Sequence, residues 1–187
     1  MDALEQLRSA IPDAARDIRL NLQAVLRGGA LTDAQRWSGG RRGGRRPRLR
    51  EAVTSAASAA AGPAVVEDAK AAAALMAMNN VYYRFRHMVG KPAYGEKPAG
   101  LRMNRLVQPA TNRADFELMA LAVSALNGCE MCVRAHEKTV TDGGLTTDHV
   151  NDAVRIAATI YAAAVALEAG ETEPAASPRL RPRLRRS

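Results

Sequence analysis

From Glu51 to about Val89 the chain is dominated by alanine, with one break at Gly62-Pro63. A run of this kind constrains the fold strongly, because alanine loses no side-chain entropy on entering a helix and has the highest helix propensity of any residue. Its small methyl group also lets helix backbones approach closely, so the stretch is expected to supply packed core helices. The rest of the chain agrees with this. It is rich in Ala, Leu, Met and Arg, is only 4% aromatic and lacks runs dense in Ile and Val, a composition that favours helices over strands.

Glycines, prolines and caps place the other elements. Asp2 to Ala10 carries Leu4, Leu7 and Ala10 at helical spacing, and Pro12 opens a second helix with Ile18, Leu22, Val25 and Leu26 on its inner stripe. Gly28-Gly29 ends that helix, and Thr32 or Asp33 caps a short one that runs into Trp37. Gly90 to Pro109, with Pro92, Pro98 and Pro109, reads as loop. Asp115 to Leu126 is helical, a further helix follows to about Asp142, and Gly143-Gly144 stops it. Thr146 or Thr147 caps a last helix from about Asp148 to Glu168, with Val150, Val154, Ala157, Ile160 and Tyr161 as its apolar stripe. The expected fold is all-α, with about seven to eight helices. A faint internal repeat lays Ala74 to Asn80 over Ala122 to Gly128 and puts Val81 and Arg84 where Cys129 and Cys132 stand.

A chain of 187 residues is long enough for one domain with a sizeable core. The expected domain is 1–172, interrupted by an atypical Gly/Arg-rich segment at 39–50, with 173–187 as a flexible Arg/Pro-rich tail. The net charge of +8 comes from two short tracts: Gly39 to Arg50 carries six arginines and Pro178 to Ser187 carries five, which leaves the remainder at −3. A nucleic-acid-binding domain spreads basic residues along a folded face. Like-charge runs punctuated by Gly and Pro are instead expected to be solvated, so neither nucleic acid nor a membrane is an expected partner. The longest apolar run, Ile156 to Leu167, is shorter than the roughly 20 residues that span a bilayer, and no basic-then-apolar leader opens the sequence. The expected location is cytoplasmic.

The only two cysteines lie in Asn127-Gly128-Cys129-Glu130-Met131-Cys132-Val133-Arg134-Ala135-His136. In a reducing compartment such a pair argues for a redox, metal or catalytic role rather than a structural staple. A Cys-x-x-Cys pair can close a small disulfide ring and reopen it, and the thiolate does the attacking. At a helix start after Asn-Gly, unpaired N–H groups and the positive dipole end favour that anion. On such a helix Cys129, Cys132 and His136 fall within about 60° of one another. His136 is i+4 from Cys132, a spacing at which it can take the thiol proton and return one to a leaving group. A carboxylate behind the imidazole would fix its tautomer, and Glu117 lies on the preceding helix. A closed zinc site wants four ligands, whereas only Cys129, Cys132 and His136 converge. His87 and His149 read as solvated helix residues, and Trp37, Met76 and Met78 as core.

These residues resemble the alkyl hydroperoxidase D (AhpD) family of the carboxymuconolactone decarboxylase-like helical superfamily. The likeness covers roughly Met1 to Trp37 and Glu51 to Glu168. It is carried by Met78-Asn79-Asn80-Val81-Tyr82-Tyr83-Arg84, Gly100-Leu101-Arg102-Met103-Asn104, Asp115-Phe116-Glu117-Leu118 and Ala122 to Glu137. The resemblance implies an antioxidant thiol peroxidase that reduces alkyl hydroperoxides. In it Cys132 would attack the peroxide and become a sulfenic acid, Cys129 would resolve it as a disulfide, and His136 and Glu117 would occupy the proton-relay positions. It further implies no bound cofactor or metal, and re-reduction by dihydrolipoamide carried on a lipoylated acyltransferase. A homotrimer and partnership with the peroxiredoxin AhpC are implied as well.

Two departures from the family stand out. Some members carry a histidine between the cysteines, where this chain has Met131, and a thioether relays no protons. From Gly39 to Arg50 the family continues an apolar helix, whereas six arginines cannot be buried without partners. The break in composition also suits a locally shifted reading frame. Alternatives are a thiol–disulfide reductase with weak peroxidase activity, and an inactive AhpD-like adaptor that uses its arginine tracts.

Overall fold

The computed structural model describes residues 3–38 and 61–171. The two arginine tracts, residues 51–60 of the alanine-rich stretch and the side chain of Trp37 lie outside the described residues. Nine α-helices and one 3₁₀ turn are present among those described: α1 (Ala3–Ser9), the 3₁₀ turn Asp13–Ala15, α2 (Arg16–Val25), α3 (Asp33–Ser38), α4 (Pro63–Val89), α5 (Pro92–Gly95), α6 (Asn104–Val107), α7 (Arg113–Leu126), α8 (Glu130–Asp142) and α9 (Thr147–Glu171). The all-α expectation holds. The count exceeds seven or eight because the proline-rich stretch read as loop contains two single helical turns, α5 and α6.

The boundaries follow from local chemistry. Thr32 Oγ1 accepts from Gln35 N at 3.3 Å while Gln35 Oε1 accepts from Thr32 N at 3.0 Å, a reciprocal capping box that starts α3. Pro63 sits in the first turn of α4, where its missing N–H costs nothing, and Gly90 closes that helix at φ +64° by donating to the Arg86 carbonyl. Asn112 caps α7 by accepting from Asp115 N at 2.9 Å. Gly29, at φ +107°, has a second reason to lack a side chain: a Cβ there would lie 2.2 Å from Asp152 Oδ2, the atom that accepts from Ala30 N.

Helix α7 is the centre of the molecule. Phe116 to Ser124 are all buried, so it is covered on every side, with α4, α8 and α9 packed around it. Leu118 joins Leu7, Ile11, Leu22, Val140, Ile156 and Ile160 in one core, while Phe116 and Met119 pack with Val65, Ala69 and Ala72 of α4. Alanines on α4 and α9 line these contacts, which is where the small side chains let the backbones close in. Met76 is fully buried as expected, whereas Met78 is half-buried.

An 18-residue window within Thr147–Gly170 of α9 has a mean hydropathy of 1.4 and is long and apolar enough to cross a membrane by length and composition. The helix is longer than the run Ile156 to Leu167, and its inner stripe of Ala153, Ile156, Ile160, Ala163 and Ala164 is built into the core. The expected apolar stripe is partly confirmed: Ala157 and Ile160 are buried, but Tyr161 is exposed.

The two segments of the faint repeat pack as neighbouring helices with different endings. In α4 the helix runs on through Val81 and Arg84. In the other segment it breaks at Asn127-Gly128 and a new helix begins.

Candidate active site

The site is built on the break between α7 and α8. Gly128 N donates to the Ala125 carbonyl and Cys129 N to the Ser124 carbonyl, each at 3.1 Å, so the last turn of α7 is closed by the two residues that follow Asn127. Gly128 makes this possible with φ +64°. A Cβ there would meet nothing within 4 Å, so the backbone conformation alone calls for glycine. Cys129 then stands just outside α8, with φ −94° and ψ 90°, and its carbonyl accepts from Val133 N at 2.9 Å. It is therefore the N-cap of α8, and Cys132 lies in the first turn.

The two cysteines form a disulfide, with Cα atoms 5.3 Å apart. Cys129 is fully buried and Cys132 nearly so. One turn further on, His136 is also buried, and its Nδ1 lies 2.5 Å from Glu117 Oε2 on α7. The carboxylate sits behind the imidazole as anticipated. Its other oxygen is 4.0 Å from Arg113 Nε, a solvent-exposed group one turn earlier on α7. Glu137 is half-buried and takes no part in this pair.

Sequence spacing did not reveal what meets the other ring nitrogen. His136 Nε2 is 3.2 Å from the Sδ of the fully buried Met76 on α4. A thioether has only lone pairs to offer, so in that contact the imidazole is the only group able to donate. In the disulfide state both ring nitrogens thus face partners other than Cys132. From the same face of α4, Asn80 Nδ2 donates to Ser124 Oγ at 2.9 Å and Asn80 Oδ1 accepts from Asn127 Nδ2 at 2.6 Å. Arg84 Nη1 donates to the Asn127 carbonyl at 2.5 Å. Met76, Asn80 and Arg84 recur at i, i+4 and i+8; that spacing, together with the repeat overlaying Arg84 on Cys132, was the available signal for them.

The remaining histidines lie away from this cluster. His87 is exposed, with Nε2 3.8 Å from Glu130 Oε2 of α8, a partner that spacing along its own helix does not reveal. His149 Nδ1 meets the Thr146 hydroxyl at 2.7 Å at the start of α9, and Asp152 instead serves Ala30 and Arg155. Met131, between the cysteines, is 41% exposed and lines a shallow cavity of about 370 Å³ with Tyr83, Arg86, His87, Lys91 and Pro92. Among the described residues no group of three or more His, Cys, Asp and Glu side chains is arranged to hold a metal ion.

Among the described residues, an all-helical body carries a helix-start Cys-x-x-Cys disulfide next to a buried Glu–His pair. Residues 92–173 match the carboxymuconolactone decarboxylase family. The chain is 64% identical over 171 residues to the alkyl hydroperoxide reductase AhpD of Anaeromyxobacter dehalogenans strain 2CP-C, covering 90% of this chain and 92% of that one. It is 42% identical over 174 residues to AhpD of Brucella canis, covering 91% and 99%, and 42% identical over 174 residues to AhpD of Rhodopseudomonas palustris strain BisB18, covering 91% and 96%. The chain belongs to the AhpD family.

Proposed function

We propose that the protein is an alkyl hydroperoxide reductase that works through the Cys129–Cys132 disulfide and is re-reduced by dihydrolipoamide. The observation that carries this reading is the buried Glu117–His136 pair one turn from the Cys129–Cys132 disulfide. The names of the relatives support the peroxide as substrate.

In the reduced protein, the Cys132 thiolate attacks the terminal oxygen of a hydroperoxide, breaking the O–O bond. Cys132 becomes a sulfenic acid and the alkoxide leaves as an alcohol after taking a proton. The Cys129 thiol then attacks the Cys132 sulfur, forming the S–S bond and releasing water. Dihydrolipoamide supplies two electrons and two protons to regenerate both thiols and leaves as lipoamide. His136 receives the Cys132 proton and delivers one to the leaving oxygen, and Glu117 holds the imidazole by Nδ1 so that Nε2 does the transfer. The Nδ1 contact with Glu117 fits a pair able to hold a proton between steps.

The reductant would arrive on a lipoylated acyltransferase, and the peroxiredoxin AhpC would share that electron supply. We place the protein in the cytoplasm as a homotrimer, acting without nucleic acid, membrane or bound cofactor. The test is dihydrolipoamide consumption by the purified full-length chain in the presence and absence of an alkyl hydroperoxide. Peroxide-dependent consumption is the expected result. Disulfide reduction with no response to peroxide would make the protein a thiol–disulfide reductase instead. Light scattering that gave anything other than three times the 20.0 kDa chain mass would refute the trimer.

A further inference from the structure

We infer that Arg84, supported by Asn80, is a positioning residue for the thiol–disulfide cycle: it holds the Asn127-Gly128 turn so that Cys129 meets Cys132. This rests on the redox reading of the cysteine pair, but not on the identity of the peroxide or of the reductant.

The turn is gripped from a helix that contributes neither cysteine. Asn127 is held at its side chain by Asn80 Oδ1 at 2.6 Å and at its backbone carbonyl by Arg84 Nη1 at 2.5 Å. Asn80 is itself fixed, because it is fully buried and donates to Ser124 Oγ at 2.9 Å. The Asn127 carbonyl belongs to the end of α7, where the helix offers no N–H of its own. A guanidinium answers that acceptor with a charge-assisted bond and also suits the negative end of the helix.

Capping of α7 alone would be a structural role. The position of the carbonyl adds a second consequence, because only Gly128 separates it from Cys129. Gly128 is held at φ +64° by its own N–H to Ala125 and by the Cys129 N–H to Ser124, and the Arg84 bond fixes the peptide ahead of both. Cys132, by contrast, is fixed within α8. A disulfide needs Cα atoms about 4.4–6.8 Å apart with the Cβ vectors converging, and the pair lies at 5.3 Å. Arg84 thus holds the peptide that leads into Cys129, the partner of the ring that stands outside α8. The faint repeat gains a meaning here, since the unit without thiols supplies, at the position overlaid on Cys132, the side chain that steadies the other unit.

The test is the thiol–disulfide equilibrium of the full-length protein against glutathione buffers, read by thiol alkylation, for wild type, Arg84→Ala and Arg84→Lys. Forming the Cys129–Cys132 disulfide removes two electrons and two protons from the thiols, with oxidised glutathione as acceptor. Loss of the clamp lowers the effective concentration of one thiol at the other. We expect the equilibrium constant for ring closure to fall about tenfold in Arg84→Ala, roughly 30 mV. Lysine, or added guanidinium ion at sub-denaturing concentration, restores part of it. In the peroxidase assay kcat falls by about 10–100-fold with KM for dihydrolipoamide unchanged, as expected for misplacement of a reacting group. Asn80→Ser provides a second variant, with a smaller loss in the same direction.

A folded Arg84→Ala with a wild-type equilibrium constant overturns the inference. So does a loss that follows thermal instability and recovers with neither lysine nor guanidinium, which would leave Arg84 as a helix cap only. A wild-type protein inactive toward hydroperoxides would refute the peroxidase reading while leaving the glutathione measurement intact.

Discussion

Cys129 and Cys132 sit within one helical turn of each other and still occupy different environments. Cys129 caps α8 and has no exposed surface, whereas Cys132 lies inside the helix, retains slight exposure and is i+4 from His136. That arrangement favours Cys132 as the attacking thiol. Cys132→Ser is expected to abolish peroxide reduction, while Cys129→Ser consumes one equivalent of peroxide and stops at the sulfenic acid for want of a resolving thiol. Dimedone labelling of the two variants checks the assignment, and labelling of Cys132→Ser alone would reverse the roles. His136→Phe and Glu117→Phe are each expected to slow turnover by about 10²–10⁴-fold, the usual share of general acid–base catalysis, with unfolding transitions measured in parallel to exclude global loss. Cys132 and His136 were legible because they lie on one short helix, where chain spacing gives direction, whereas Cys129, expected on the same helix face, is the extended cap just ahead of it. Glu117 was readable only as a candidate, since nothing in the sequence fixes how α7 rotates against α8. Met76 was legible as core, but its sulfur meets His136 across 60 residues of chain, and no local period carries that contact.

At the scale of elements, the glycine turn and the loop ahead of α7 set where the site stands. Gly128→Ala forces a left-handed conformation on a residue with a Cβ, at a cost of about 1–2 kcal/mol, and a denaturant titration is expected to show a loss of that size. The loop is tied down differently. The fully buried Asp68 on α4 accepts from Ala110 N at 2.9 Å, from Thr111 N and Oγ1 at 2.7 Å each and from Arg105 Nε at 2.7 Å. Burial alone would raise the Asp68 pKa, but these donors outweigh it and hold the carboxyl below its usual value. A carboxyl whose folded pKa is depressed contributes stability that is present above its unfolded value of about 3.9 and lost as the pH falls through the folded value. Asp68→Asn is therefore expected to cost about 1.5–3 kcal/mol at neutral pH, the range for hydrogen bonds to a charged group, and less as the pH drops below about 4. Equal costs at pH 7 and pH 3 would refute the carboxylate's role. The prolines marked the break between Gly90 and Pro109, but the loop expected there contains two single helical turns. Its tie to Asp68 comes from Arg105, Ala110 and Thr111 across about 40 residues of chain, and composition does not register that.

For the whole molecule, the question is how far the site depends on the body that holds it. The alanine-rich helices were legible because propensity and packing agree there: the same small side chains that favour helix let α4 and α9 close around α7. Their pairwise arrangement was not legible, since alanine faces carry almost no directional information. Phe116 is the large side chain at that junction, fully buried against Val65, Ala69 and Ala72 and adjacent in sequence to Glu117. Phe116→Ala is expected to destabilise by about 3–5 kcal/mol. Turnover per folded molecule would fall as well, because the cavity sits at the root of the carboxylate. The C-terminal tract offers the opposite case. Pro178 to Ser187 carries five arginines, lies outside the described residues and has no side chain of the proposed cycle within it. Deleting it removes charge without removing chemistry, so kcat and KM for a neutral hydroperoxide are expected to stay at the wild-type values. If the tract were the working part, as in an adaptor, the deletion would weaken binding to an acidic partner with a marked salt dependence, and Phe116→Ala and His136→Phe would leave that binding unchanged except through loss of folded protein. Steady-state kinetics and salt-dependent binding on these three variants separate a molecule organised around Cys132 from one organised around its arginines.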